Sequence, residues 1–273
     1  MINDLKGKVV LVTGASRGLG KGIAKVLIEA GATVYITGRL HSEPNQFPSV
    51  IQTAEELNSL NLGKCVGLYC DHRIEEENEI VFNKIEENHE NIDILVNNSF
   101  GWFHAKDDFF KNTFWGKDYA RKWENTINIG FRLRESHSLK SCYAVSCNAL
   151  KCSNIQKSLL IFNISSINSY ISFFNPAFVF GKEGTDCLTF DMHERLQPFN
   201  VNVISLWPGL VRTEIMEKAR ETVDFIKNIW HASESIYLTG RAILALSTGL
   251  ALYCFLKILM WQQNPGNLTL SQT

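Results

Sequence analysis

The sequence lacks a large charge of either sign. Its 273 residues carry 27 Lys and Arg against 28 Asp and Glu, which leaves a formal net charge of -1. A basic surface provides most of a protein's sequence-independent attraction to phosphate backbones, so this balance gives no reason to expect a nucleic-acid partner. Hydrophobic residues make up 45% of the chain, enough for a well-buried core. Its length suits one large domain and is too short for two domains of ordinary size.

The seven cysteines include no C-x-x-C pair. An odd count without close pairs is typical of a reducing compartment rather than of a disulfide framework. Cys142, Cys147 and Cys152 form the one cluster. Five-residue steps spread side chains around a helix, whereas zinc ligands must converge, so we expect no metal site. A secretory signal is also missing, because Met1 to Lys8 is polar, and we expect a cytoplasmic protein.

Short apolar runs alternate with segments of helical periodicity. The runs predict buried strands at Val9–Val12, Thr33–Thr37, Lys64–Tyr69, Ile92–Val96, Leu159–Ile164 and Val201–Leu206. The periodicity predicts helices over Gly22–Ala30, Ala54–Leu60 and Ile74–Asn91, the last with Ile80, Val81 and Ile85 on one face. This alternation predicts an α/β fold with one doubly wound parallel sheet, a Rossmann fold, whose ligands bind beyond the carboxyl ends of the strands.

A glycine-rich turn separates the first strand from the first helix. Glycines allow the backbone to approach a pyrophosphate, and a helix N-terminus offers free N–H groups and partial positive charge. In this strand–turn–helix setting the pattern predicts a dinucleotide site rather than a merely structural turn. The residues expected to contact the cofactor there are Gly14, Ser16, Arg17, Gly18, Leu19 and Gly20.

No carboxylate stands where an NAD site needs one. About twenty positions after the glycine turn, an Asp or Glu normally accepts from the ribose 2′-hydroxyl of NAD. This chain has Thr37 and Gly38 followed by Arg39, with Arg17 nearby in the turn. Two guanidiniums can pair with a 2′-phosphate, so the sequence favours NADP(H) over NAD(H). The alternative for Arg39 is a solvated loop charge.

Further motifs resemble those of the short-chain dehydrogenase/reductase family, over roughly residues 5 to 215. The resemblance implies that Asp71 contacts adenine, that Asn97 lies near the cofactor, and that Thr213, after Pro208-Gly209, holds the nicotinamide carboxamide. It also implies that Asn128 is the active-site Asn and that Lys182 binds the nicotinamide ribose. The catalytic Ser is either Ser165 or Ser166, of which Ser166 is favoured, with a structural strand-end serine as the alternative.

The family's catalytic tyrosine is missing. In the family, a Tyr four residues before the Lys protonates the carbonyl oxygen, its pKa lowered by that Lys. Here that position is Phe178, which has no hydroxyl, and the nearest candidate is Tyr170, eight residues earlier. A positioned general acid contributes about 10²–10⁴-fold in rate. Phe178 therefore favours either a slow enzyme or a binding protein without turnover.

Two longer strings, at 31–39 and 205–214, look closer to one animal branch of the family. That likeness implies NADPH-dependent reduction of an apolar carbonyl substrate, a steroid or a xenobiotic, and an endoplasmic reticulum membrane association as the alternative location. The family often builds a homodimer interface from the helix that follows Asn128, which residues 133–139 interrupt. We expect a Rossmann domain over 1–241 and a divergent apolar segment and polar tail over 242–273.

Three hypotheses follow from these residues. The first is an NADP(H)-dependent oxidoreductase acting on a carbonyl or a secondary alcohol. The second is a non-catalytic NADP(H)-binding protein of the same fold, motivated by Phe178. The third is a poorly folded variant gene product, motivated by residues 133–139 and by the altered C-terminus. Residues 214–236 form the expected substrate lid, in which Met216, Phe225, Ile229 and Trp230 suggest either an apolar wall or ordinary packing.

Overall fold

The computed structural model describes residues 4–40, 47–100, 145–151, 158–167 and 176–249. Within these ranges six strands form one parallel sheet in the order β3-β2-β1-β4-β5-β6. Their bounds are β1 Val9–Val12, β2 Thr33–Gly38, β3 Lys64–Tyr69, β4 Ile94–Asn97, β5 Leu159–Ile164 and β6 Val201–Leu206. The doubly wound fold is confirmed, and four of the six predicted strands agree to the residue.

The strand order reverses between β1 and β4. The chain moves outward from β1 through β2 and β3, then returns to the other side of β1 and continues outward from β4. The carboxyl ends of β1 and β4 therefore border the crevice in which a doubly wound sheet binds its ligand. The glycine turn follows β1 and Asn97 ends β4, so the pairing of β1 with β4 in the sheet brings these two segments together.

The sheet is buried on both faces because its strands are continuous apolar runs. Along β1, Val10 and Val12 belong to one core cluster, while Val9 and Leu11 belong to the other. The helices on the first face are α1 (Gly18–Glu29), α2 (Val50–Asn58) and α7 (Leu238–Ser247). The helices on the second face are α3 (Glu75–Glu86), residues 145–151 and α4 (Pro176–Leu196).

Three helix predictions need correction. Helix α1 begins at Gly18, four residues before the predicted start, and its first turns include Gly20 and Gly22, where a Cβ would meet Asn98 and Ile236. Helix α2 begins at Val50, where Ser49 and Gln52 form a capping box that the apolar pattern did not reveal. In α3 the buried residues include Phe82 rather than Ile80, whose side chain is 64% exposed.

Helices α5 (Glu214–Thr222) and α6 (Asp224–Ile229) lie in the segment expected to form the lid. Met216 and Ile226 are buried there in a small cluster of their own, with Trp230 packed against it, whereas Phe225 is 44% exposed. Packing therefore accounts for Met216 and Trp230, and Phe225 is the large apolar side chain of this segment that faces outward.

Helix α7 runs across the expected boundary at residue 241 and packs against α1. Gly240 allows the close approach, since a Cβ there would lie 3.0 Å from the Cα of Ile23. No helix in the part of the chain that the structure describes is long and apolar enough to cross a membrane. Residues 250–273, with most of the expected divergent segment, lie outside the described residues.

Candidate cofactor site and active site

The glycine turn is a left-handed bend that leads directly into α1. Gly14 and Gly18 have φ angles of 64° and 56°, a conformation that residues with side chains seldom adopt. Gly14 also lies so close to the neighbouring loop that a Cβ would sit 2.7 Å from the Cα of Ser99. The turn thus presents backbone rather than side chains, as an approaching pyrophosphate requires.

The loop after β4 fixes one side of this turn. The Asn98 side chain donates to the carbonyl oxygens of Thr13 and Gly14 at 2.9 and 3.0 Å. In return, the Thr13 hydroxyl accepts from the backbone N–H groups of Asn98 and Ser99, both at 3.0 Å. Asn98 directly follows Asn97 in the motif but is not among the predicted site residues.

Three cations surround the far end of the turn. The Arg17 guanidinium stacks 4.0 Å from the centre of the Phe47 ring, and the Lys218 ammonium, from α5, lies 5.1 Å from the same ring. Burial lowers the pKa of Arg17; the carboxylate of Glu214 opposes this effect, and the charge of Arg39 adds to it. Arg17 and exposed Arg39 are thus close enough to repel each other, and an anion bound between them would relieve that repulsion.

Asp71 lies two residues after the end of β3, the edge strand beside β2, and next to this cationic end. Arg73 holds its carboxylate with three hydrogen bonds, two of them 2.8 Å long. Burial alone would raise the pKa of Asp71, but the hydrogen bonds and charge of Arg73, with a smaller contribution from Arg39, lower it instead. The carboxylate stays ionised and fixed in place.

The start of α5 closes over the front of the turn. Thr213 caps α5 through its hydroxyl, and its Cγ2 lies 3.3 Å from the Cβ position of Gly18. Glu214, the first residue of α5, accepts from the backbone N–H of Gly18 at 3.4 Å. Helix α1 has no side-chain cap and no acidic residue in its first turn, so this carboxylate comes from a distant part of the chain.

The expected catalytic residues meet where β5 ends beside α4. The Lys182 ammonium, 8% exposed, donates to the carbonyl oxygen of Ile164 at 2.9 Å. It lies 4.6 Å from the centre of the Phe100 ring and 5.8 Å from that of Phe178. The two rings meet edge to face at 5.4 Å. Lys182 thus lies in an aromatic environment, where the family's pattern has a hydroxyl.

The two candidate serines directly follow β5. The Ser165 hydroxyl, 3% exposed, donates to the backbone carbonyl of Lys182 at 3.1 Å and so connects β5 to α4. This bond gives Ser165 a structural role that its sequence position does not reveal. Ser166, the next residue, is 8% exposed and stays the predicted catalytic serine.

The side-chain amide of Asn97 is hydrogen-bonded to buried side chains. Its Nδ2 donates to Asn163 Oδ1 at 2.8 Å and to Ser146 Oγ at 3.1 Å. Asn163 in turn donates to Thr189 on α4 at 2.8 Å. This buried chain ties β4, β5 and α4 together below the crevice. A cofactor contact by Asn97 stays a prediction.

Asn128, Tyr170 and residues 133–139 lie outside the described residues. The other predicted site residues form two groups, the glycine turn with its cations and the Ser166–Lys182 corner. Phe100 links the groups, because it follows Ser99 at the turn and its ring meets that of Phe178 edge to face.

Within the ranges given above, no three His, Cys, Asp or Glu side chains are placed to hold a metal ion.

Comparison with known proteins gives a family match over most of the chain. Residues 8–224 match the family model described as short chain dehydrogenase. The chain is 34% identical, over 257 residues, to the proteins of Mus musculus and Homo sapiens named dehydrogenase/reductase SDR family member 1, covering 91% of this chain and 77% of each relative. It is 29% identical over 220 residues to a 3-oxoacyl-[acyl-carrier-protein] reductase of Aquifex aeolicus, covering 80% of each chain.

A solved structure shares the fold at lower sequence similarity. The crystal structure of L-sorbose reductase from Gluconobacter frateurii, in complex with NADPH and L-sorbose, superposes with a TM-score of 0.73. The superposition covers 93% of this chain and 94% of that one at 17% identity. At this identity the likeness bears on the fold alone.

Proposed function

Because the chain belongs to the short-chain dehydrogenase/reductase family of oxidoreductases, whose members bind NAD(P), we propose that it is an NADP(H)-dependent oxidoreductase that interconverts an apolar carbonyl compound and its secondary alcohol. The observation that carries this proposal is that the two positive charges of Arg17 and Arg39 lie close together beside the glycine turn. No Asp or Glu follows at the end of β2 to accept from the ribose 2′-hydroxyl of NAD. The residues present fit the cofactor, since the turn leaves no room for a Cβ at Gly14 or Gly20.

The cofactor is held, in this proposal, by two sets of groups. The backbone of the turn and the N-terminus of α1 bind the pyrophosphate, while Arg17 and Arg39 pair with the 2′-phosphate. Asp71 and Thr213 are assigned to the adenine and the carboxamide from the family resemblance. The bound nicotinamide supplies or accepts the hydride.

Ser166 and Lys182 carry the remaining chemistry. The Ser166 hydroxyl donates a hydrogen bond to the substrate oxygen, and the Lys182 ammonium stabilises the negative charge that develops there. Phe178 has no proton to give, so the proton that completes the alcohol comes from water. We therefore expect turnover to be slow, roughly 10²–10⁴-fold below a family member with the Tyr.

The test begins with the titration of purified protein with NADPH and with NADH, following nucleotide fluorescence and the thermal transition together. A ligand that binds only the native state raises the transition temperature by mass action. We expect NADPH to do so at lower concentration than NADH. A cooperative transition without any shift would refute the cofactor assignment, and no cooperative transition would favour a poorly folded variant product.

Turnover is then measured with a panel of aromatic, quinone and steroid ketones. Lys182→Met should abolish NADPH oxidation, whereas Lys84→Met, which changes an exposed lysine on α3 paired with Glu87, should not. If the native protein consumes no NADPH above the rate of buffer, the proposed activity fails even where cofactor binding holds.

A non-catalytic NADP(H)-binding protein is the second candidate, favoured by the aromatic contacts of Lys182. Phe178→Tyr restores a hydroxyl four residues before Lys182, on the same face of α4. Turnover that rises at least tenfold in a folded variant would mean that the missing acid limits an otherwise competent site. An unchanged rate would favour a protein that binds the cofactor without using it.

A further inference from the structure

A buried histidine lies behind the glycine turn, on the side opposite Asn98. His72, which follows Asp71, places its Nε2 2.6 Å from the Thr37 hydroxyl at the end of β2. The same hydroxyl accepts from the backbone N–H of Gly14 at 3.3 Å. The next backbone N–H, that of Ala15, donates to the carbonyl oxygen of Thr37 at 2.8 Å. Thr37 thus contacts two consecutive residues of the turn and His72.

The neighbouring asparagine decides the direction of these hydrogen bonds. The Asn78 amide nitrogen donates to the carbonyl oxygens of Ile74 and His72 at 2.9 and 3.2 Å, so its Oδ1 is the atom that faces the ring. This Oδ1 lies 2.6 Å from His72 Nδ1 and must accept a proton from it. His72 therefore carries its proton on Nδ1, and Nε2 is left as an acceptor.

The acceptor on His72 orients the Thr37 hydroxyl. With Nε2 unprotonated, the hydroxyl proton points to the ring, and a lone pair of the oxygen faces the N–H of Gly14. Without the ring, the hydroxyl would be able to rotate and to turn its proton towards that N–H. Burial lowers the pKa of His72, against the hydrogen bond to Asn78 and the charges of Asp71 and Glu77, which agrees with a neutral ring.

The contact matters because Gly14 is under constraint on its other side. Its Cα faces Ser99 so closely that no side chain fits, and its φ of 64° is fixed only by what its neighbours allow. Asn98 holds the carbonyl oxygen of Gly14 and Thr37 holds its N–H. The two bonds fix the orientations of the two peptide groups on either side of Gly14, in the turn that we propose binds the pyrophosphate.

We propose that His72 is a positioning residue for dinucleotide binding, acting through the Thr37 hydroxyl on the backbone of Gly14. This inference rests on the proposed function, since it assigns to His72 the geometry of the same cofactor site. His72 does not touch the cofactor in this assignment. Its effect is on affinity, through the fraction of molecules whose turn has the bound conformation.

Two matched pairs of variants separate the positioning role from a general packing role. His72→Gln carries its terminal amide at the place of Nε2 and can accept from Thr37, whereas His72→Asn reaches only Asn78. Thr37→Ser keeps the hydroxyl, whereas Thr37→Val replaces it by a methyl group of the same shape. Kd for NADPH is measured at a temperature where every variant is fully folded, so that lost stability alone leaves it unchanged.

We expect His72→Asn and Thr37→Val each to weaken NADPH binding five- to twentyfold, and the double variant to be no weaker than the worse single variant. His72→Gln and Thr37→Ser should stay within threefold of the native protein. Additive losses in the double variant, or native affinity in His72→Asn with only a lower transition temperature, would overturn the proposal.

A cofactor-free measurement keeps this result separate from the proposed function. If the native protein binds neither NADPH nor NADH, the function fails, and amide exchange over residues 13–18 then decides the positioning role. Faster exchange there in His72→Asn and Thr37→Val, with native exchange in His72→Gln, supports it. Exchange that is the same in all four proteins contradicts it.

Discussion

The carboxylate of Glu214 lies against the N-terminus of α1, with Oε1 3.4 Å from the backbone nitrogen of Gly18. This N–H is one of the orphan donors that open a helix, and it is the kind of group that binds a pyrophosphate. Glu214 belongs to α5, at the start of the segment expected to cover the substrate. The first residue of that segment therefore holds a donor that we propose binds the cofactor.

Glu214→Gln should strengthen NADPH binding. The substitution keeps the shape of the side chain but removes a negative charge that both competes for Gly18 N–H and repels the phosphates. We expect Kd to fall by roughly three- to tenfold at low salt, with a smaller change at high salt because exposed charges are screened. Glu217→Gln, an exposed glutamate on the same helix, is the control for net charge alone. Equal effects in both variants would mean that Glu214 has no special place.

Arg39→Ala should weaken NADPH binding and leave NADH binding nearly unchanged. A hydrogen bond to a charged group contributes about 1.5–3 kcal/mol, which corresponds to roughly 10–100-fold in Kd. Arg195→Ala on α4, where the exposed Arg195 pairs with Asp191, removes the same charge far from the cofactor and serves as the control. Unchanged affinity for both nucleotides in Arg39→Ala would leave Arg39 as a solvated loop charge, and parallel loss of both would mean that Arg39 does not distinguish the 2′-phosphate.

The sheet was largely predictable because a buried strand leaves a recognisable run of apolar residues in the sequence. A strand covered on both faces is a continuous apolar run, so Val9–Val12 and Leu159–Ile164 could be delimited to the residue. The start of α1 could not, since glycine disfavours helix interiors and gives no periodic signal. Gly20 and Gly22 lie inside the helix at positions where neighbouring segments leave no space for a side chain.

The sequence motifs named the candidate site residues, but not the residues whose hydrogen bonds hold those motifs in place. Arg17 and Arg39 were expected from their positions after the first and second strands, and Lys182 from the family resemblance. His72, Asn98 and Glu214 act through contacts with residues far away in sequence, Thr37, Thr13 and Gly18. Such pairings depend on the packing of loops at the sheet edge, which no local pattern encodes. Ser165 belongs with them, since its bond to α4 exists only in the folded chain.

The native protein should lose stability as pH falls from 7 to 5, in part through His72. Burial lowers the pKa of this ring below that of the unfolded chain, so the unfolded state binds more protons between the two values. The free energy of unfolding therefore rises with pH across this window, by at most about 1.4 kcal/mol per pH unit for one proton, and is lost on acidification. The measurement is urea denaturation at several pH values.

His72→Gln isolates this contribution, because glutamine does not titrate and keeps the acceptor for Thr37. We expect the free energy of unfolding of the variant to depend less on pH between 5 and 7 than that of the native protein. His89, whose pKa is also lowered by burial and by the charge of Lys64, contributes to the remaining slope in both proteins. Identical slopes would mean that His72 takes up no extra proton on unfolding.

The two adjacent serines should separate stability from chemistry. Ser165→Ala removes a buried hydrogen bond to the carbonyl of Lys182 and should lower the free energy of unfolding by about 0.5–1.5 kcal/mol. Because this bond fixes where α4 sits against β5, some loss of turnover follows, but NADPH binding at the glycine turn should persist. Ser166→Ala should reduce turnover at least tenfold, because it removes the hydroxyl that we propose orients the substrate oxygen.

Turnover for this pair is measured in the native chain and again with Phe178→Tyr, so that a slow native rate does not hide the difference. The same order in both backgrounds would assign substrate orientation to Ser166 and the β5–α4 contact to Ser165. If Ser165→Ala removes turnover while Ser166→Ala is active, the assignment must be reversed. The hydroxyl that now binds the carbonyl of Lys182 would then have to turn towards the substrate, at the cost of the contact that positions Lys182.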